Sequence, residues 1–120
     1  MRAMRVLLTG ALLAGVTVPK ASEAAGTDPA AQVEIVDSTF TPQEVSVKVG
    51  QYVTWHHFDG DLKHSVTADD MSFDSSPLCG QGPCMNRDDK FNWLFLRPGK
   101  YPYHCRIHAT YGMKGVITVE

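Results

Sequence analysis

No stretch of this 120-residue sequence concentrates positive charge: 11 Lys and Arg are scattered against 13 Asp and Glu, a formal net charge of −2. A nucleic-acid partner requires a basic face to neutralise phosphates, so none is expected. Long hydrophobic runs are equally scarce. The main one, Val6 to Val18, is interrupted by Thr9, Gly10, Gly15 and Thr17 and stopped by Pro19 and Lys20, short of the roughly 20 apolar residues that cross a bilayer. Sustained helical periodicity, internal repeats and low-complexity tracts are missing. So are G-x-S-x-G, H-E-x-x-H and a glycine-rich phosphate loop, which removes the usual signatures of hydrolases, zinc proteases and nucleotide enzymes. What the chain does hold is an unusual share of soft and borderline metal donors: three Cys, five His and five Met. Metal binding in a single domain is the first functional class to test.

Arg2 and Arg5 ahead of the apolar run, with the small residues Ser22 and Ala24 after it, read as a secretory signal over residues 1–24, cleaved after Ala24. Removal takes three basic residues and one acidic residue away, and the net charge falls from −2 to −4. Residues 25–32 are small and polar, a flexible lead-in, and residues 33–120 form the domain. The protein is expected to be exported or periplasmic, without stable membrane insertion.

The domain reads as short strands. Val33 to Val36, then Val45, Val47 and Val49 before Gly50, Tyr52 to His56, and His64 to Ala68 each alternate or pair apolar with polar residues between turn signals. Phe91, Trp93 and Phe95 alternate in the second half, Pro98-Gly99 turns the chain into Lys100 to Cys105, and Gly115 to Val119 closes it. About seven such strands predict an all-β, antiparallel or mixed sandwich. A helical turn is allowed between Asp69 and Asp89. Pro102, unable to donate to a ladder, should face an edge or a gap.

The chemistry gathers near the C-terminus. Cys105 stands at a strand end, His108 three residues on and Met113 five beyond, just before the last strand, so one tight loop can turn all three toward a point. A second imidazole is needed, and His64 is the upstream candidate, with His56, His57 and His104 as competitors. Alternation turns His104 to the face opposite Cys105. Two nitrogens, one thiolate and a thioether suit copper better than zinc, which prefers four strong ligands. A Cys105/His108 nucleophile–base pair would leave His64 and Met113 unexplained, and no enzyme activity is expected.

With these residues the sequence resembles the cupredoxins, the type 1 (blue) copper proteins, in the plastocyanin, amicyanin and pseudoazurin group. The resemblance runs through Phe40-Thr-Pro, Val53-Thr-Trp55, His64, Phe73-Asp-Ser75, Phe95, Pro98-Gly-Lys-Tyr101, Tyr103-His-Cys-Arg-Ile-His108 and Met113-Lys-Gly115. It implies a small Greek-key sandwich of seven to eight strands and one type 1 copper held by His64, Cys105, His108 and an axial Met113. It also implies single-electron transfer by a monomer between a redox donor and a redox acceptor, with His108 at the surface. Ser65 resembles the small polar residue that ties the two ligand loops together. Ala109 replaces a proline common in relatives, and the His56-His57 pair departs from the family.

Cys79 and Cys84 flank Gly80-Gln-Gly-Pro83, as a disulfide in an oxidising compartment or as a second thiolate metal site with Met85 nearby. The alternative function is a periplasmic copper-delivery protein, with Met71, Met85 and His56-His57 as auxiliary sites. A third is a fixed domain of a larger redox assembly.

Overall fold

A computed structural model describes residues 29–120; the expected signal segment and the first residues of the lead-in lie outside them. The described chain makes eight strands: β1 (Ala31–Val36), β2 (Thr39–Thr41), β3 (Glu44–Val47), β4 (Tyr52–His57), β5 (Thr67–Ala68), β6 (Lys90–Leu94), β7 (Gly99–His104) and β8 (Lys114–Val119). They form two four-stranded sheets, ordered β2-β1-β4-β6 and β3-β8-β7-β5. The sandwich is mixed, because β1 pairs with β4 and β3 with β8 in parallel while the other pairings are antiparallel.

Alternation explains which faces meet. Val33, Ile35, Val53 and Trp55 point inward from the first sheet, Val47, Tyr103, Ile117 and Val119 from the second, and all eight are buried. Trp55 is the hub, its ring 5.4 Å from Tyr103 and 5.7 Å from both Phe73 and Phe91. The rings of β6 are less covered than alternation suggests. Phe91 is half-buried and Trp93 is 37% exposed, because β6 is the edge of its sheet.

Several boundaries differ from the sequence reading. β1 begins at Ala31 because that residue already registers with Val53, and β2 returns beside β1 through a turn with no glycine. The strand expected over His64 to Ala68 shrinks to Thr67–Ala68, and His64 is held by an isolated bridge to Met85. Among the described residues the helical turn falls at Ala109–Tyr111, not between Asp69 and Asp89. Pro102 sits as expected. Its carbonyl accepts from the Asp69 N–H, just past the end of β5, so its nitrogen faces that same gap and no ladder bond is forfeited.

Candidate metal centre

The loop between β7 and β8 is built almost entirely from its own backbone. The Cys105 N–H donates to the Met113 carbonyl at 3.1 Å and closes the two ends together. Inside, the His108 N–H donates to the Cys105 carbonyl (3.3 Å), and the Tyr111 and Met113 N–H groups both donate to the His108 carbonyl (2.9 and 3.3 Å). Gly112, at φ 87°, takes the left-handed turn that returns the chain to β8, and its N–H caps the 3-10 turn on the Ala109 carbonyl. Cys105 and Met113 are buried and His108 is half-buried.

His64 reaches this loop from the other side of the sandwich end. Its backbone exchanges two hydrogen bonds with Met85, 3.2 and 2.8 Å, which fix where the ring starts. The Nδ1 atoms of His64 and His108 then lie 3.1 Å apart, and the Cys105 Sγ lies 3.8 Å from the first and 3.5 Å from the second. A point equidistant from all three is about 2 Å from each, a metal–ligand bond length. No other group of three His, Cys, Asp or Glu donors with this closeness occurs among the described residues. The donor set, two imidazole nitrogens and a thiolate beside a buried thioether, matches copper in both oxidation states.

The polar surroundings make those lone pairs available. The Nε2 of His64 lies 2.8 Å from the Asp59 carboxylate, so this nitrogen carries the proton and Nδ1 is bare. Burial depresses the pKa of His64, and Asp59 only partly opposes it. Burial also pushes the Asp59 carboxyl up, but hydrogen bonds from the Ser38 N–H, His64 and the Asp37 N–H outweigh it and hold the group below its ordinary value. Both shifts favour a neutral imidazole facing an ionised carboxylate. Ser65 ties the two loops: its N–H donates to the Cys105 Sγ at 3.4 Å, and its Oγ accepts the Arg106 N–H at 2.8 Å.

His64, Cys105, His108 and Met113 therefore come to one end of the sandwich, and the competing histidines do not. His104 points away from Cys105 and bonds Asp69 through Nδ1 at 2.6 Å. His56 packs on Phe58, ring centroids 3.9 Å apart. His57 is buried with both ring nitrogens engaged: Nε2 donates to the Leu62 carbonyl (2.7 Å) and Nδ1 accepts the Asp59 N–H (3.0 Å). Cys79 and Cys84 are joined in a disulfide and Cys105 is free, which answers the question left open by the C-x4-C spacing. Gly80 packs that disulfide loop against Ile107 of the ligand loop, and Cys84 leads into Met85 beneath His64.

The sequence reading missed two residues. Asp59 registered only as part of a polar loop, because its partners Asp37 and Ser38 lie more than 20 positions away. Asp74 registered only within Phe73-Asp-Ser75, with no role assigned, yet its carboxylate pairs with Arg106 and accepts from the Thr67 hydroxyl and the Ser76 N–H. A carboxylate shortly before a ligand histidine was the only available clue to the first.

Residues 7–119 match the model of a cupredoxin-like domain. The chain is 32% identical over 115 residues to an amicyanin of Paracoccus denitrificans, covering 93% of this chain and 84% of that protein. It is 32% identical over 88 residues to a plastocyanin of Scenedesmus fuscus, covering 68% and 86%. Among solved structures, a copper-containing nitrite reductase from Thermus scotoductus superposes with a TM-score of 0.65 at 27% identity, over 81% of this chain but 23% of that one.

Proposed function

Because the chain belongs to the cupredoxin-like domain family, we propose that it is an exported single-electron carrier whose one type 1 copper is held by His64, Cys105, His108 and an axial Met113. The observation that carries this reading is the triangle of two Nδ1 atoms and one Sγ around a common centre. A bound copper ion supplies one-electron cycling between its two oxidation states.

The protein's own task is to keep the donors where they are. The Cys105–Met113 closure, the His64–Met85 bridge and the Ser65 contacts that tie the two loops together fix the donors through the protein's own hydrogen bonds, so little rearrangement accompanies a change of charge. His108 is the half-buried ligand, and Ala109, Tyr111 and Gly112 surround it; Tyr111 is 85% exposed. This edge gives a partner the shortest route to the metal, and a small apolar contact there suits a transient encounter. The donor and acceptor are redox proteins in this reading, and the chain transforms no substrate. The likeness to nitrite reductase covers 23% of that chain, too little to carry an enzyme's activity over. Export rests on the pattern of residues 2–24, and no helix among the described residues is long and apolar enough to cross a membrane.

The copper-delivery alternative loses two of its four auxiliary donors, because His57 has no free ring nitrogen and Met85 is buried in the core, which leaves His56 and the exposed Met71. An absorption spectrum of the copper-loaded protein tests the choice. A carrier shows an intense visible thiolate-to-copper band, one copper per chain and reversible one-electron cycling. Cys105→Ser abolishes the band, and Met113→Gln keeps a coloured site at a lower potential. A colourless copper(II) complex of the intact, disulfide-bonded chain would defeat the proposal. N-terminal sequencing of the mature protein should begin near Ala25.

A further inference from the structure

The arrangement behind His64 is more elaborate than holding a ring requires. Asp59 has a side chain that is 11% exposed, and it is held at three points. Its Oδ1 accepts the Asp37 N–H at 2.9 Å, and its Oδ2 accepts both the Ser38 N–H at 2.8 Å and the His64 Nε2–H at 2.8 Å. The two backbone donors belong to the β1–β2 turn, where Asp37 and Ser38 adopt φ of 52° and 54°. Two consecutive non-glycine residues in the left-handed region are costly, and such strain persists where the surroundings over-determine it. Here it aims two N–H groups at one carboxylate. His57 completes the frame by accepting the Asp59 N–H and donating to the Leu62 carbonyl.

We infer that Asp59 is a positioning residue that biases the copper site toward its oxidised state, acting through the Nε2–H of His64. The inference rests on the proposed copper function and adds a direction to it. A carboxylate accepting from the far nitrogen of a metal-bound imidazole fixes its orientation and raises its basicity at the ligating nitrogen. It also places a negative charge one ring away from the metal, in a partly buried site where screening is weak. Both effects favour copper(II) over copper(I), because the more highly charged ion gains more from a stronger donor and a nearby anion.

The test is the reduction potential of Asp59→Asn, measured by spectroelectrochemistry on the copper-loaded full-length mature protein. Outer partners of metal ligands typically change affinity by about tenfold or more. A tenfold loss in the preference for copper(II) raises a one-electron potential by about 59 mV. The expected result is a rise of that size with the visible band retained. An unchanged potential with an intact band overturns the inference and reduces Asp59 to a scaffold contact, for which loss of thermal stability would be the only consequence. If the variant does not fold or load, the wild-type protein decides. In its copper(I) form, the Nε2 proton of His64 should be slow to exchange and shifted far downfield in the NMR spectrum, as a carboxylate-bound imidazole proton is. A fast-exchanging proton at an ordinary shift overturns the inference too. A wild-type protein without the visible band would instead count against the copper-carrier reading itself, so the two failures are distinct.

Discussion

The two halves of the metal centre are built in opposite ways. The downstream half, Cys105 to Met113, is one short segment whose loop hydrogen bonds run between residues no more than eight positions apart. The upstream half supplies a single donor, His64, and fixes it through Met85, through Asp59 with its partners Asp37 and Ser38, and through Ser65, which reaches across to Cys105. The loop is thus nearly self-sufficient in its backbone, while the position of His64 depends on four separate parts of the chain. Disturbing the downstream half tests one anchored segment, whereas disturbing the upstream half tests contacts gathered from several parts of the fold.

The largest effect is expected where the downstream loop meets the sandwich. A methyl group added at Gly115 would lie 2.5 Å from both the Cζ and the hydroxyl of Tyr103, a buried ring that touches Trp55 and Phe40. Gly115→Ala should cost about 3 kcal/mol of stability, read as a lower urea midpoint of the metal-free protein. An unchanged midpoint would mean that Tyr103 yields easily and that this end of the loop is not anchored as described.

On the upstream side, His57→Leu keeps the apolar volume but leaves the Leu62 carbonyl and the Asp59 N–H without their partner. A loss of about 2 kcal/mol is expected, with weakened copper retention against a chelator because the loop carrying Asp59 loosens. Stability lost without any change in retention would uncouple that loop from the site. Between the two halves, Ser65→Ala removes the acceptor of the Arg106 N–H and the hydroxyl contact with Thr67, for a cost of about 1 kcal/mol. The backbone N–H to the Cys105 Sγ remains, so the visible band should persist.

Acidity probes the upstream half without mutation. In the folded, metal-free chain burial keeps His64 neutral below its ordinary value of 6.5, whereas the unfolded chain protonates it there. The unfolded state then binds more protons, so stability should fall as pH drops through 6.5 and level off once the folded value is passed. A second loss belongs to Asp59. Its depressed carboxyl contributes stability above the ordinary value of 3.8, and that contribution disappears as pH falls through the lower folded value. Urea midpoints on either side of these values check both steps, and His57→Leu, which removes one contribution to the depression but not the burial that dominates it, should weaken the first without abolishing it. The smallest effect concerns the strained turn: Asp37→Gly relieves a φ of 52° at some entropic cost, for a net gain of about 0.5 kcal/mol. A loss there would show that the side chain of Asp37, and not its backbone, matters to the turn.

The same contrast explains what could be read before the structure. Short-range alternation placed most of the strands, and the donors Cys105, His108 and Met113 were legible because a strand end, a tight loop and the next strand leave few places for their side chains to go. His64 was identifiable by resemblance, since no spacing rule connects it to a loop 41 residues away. Pairing at a distance decided the rest. The early start of β1, the two-residue length of β5, the exposure of Trp93 at a sheet edge, and the fates of His56 and His57 depend on which strands become neighbours. The sequence alone determined the chemistry available: the soft donor set, the β periodicity and the odd cysteine out of three. Tertiary structure alone decided that Asp59 stands behind His64, because a carboxylate becomes an outer partner of the metal site only when β1 and β4 pair in parallel and bring the Asp37–Ser38 turn beside it.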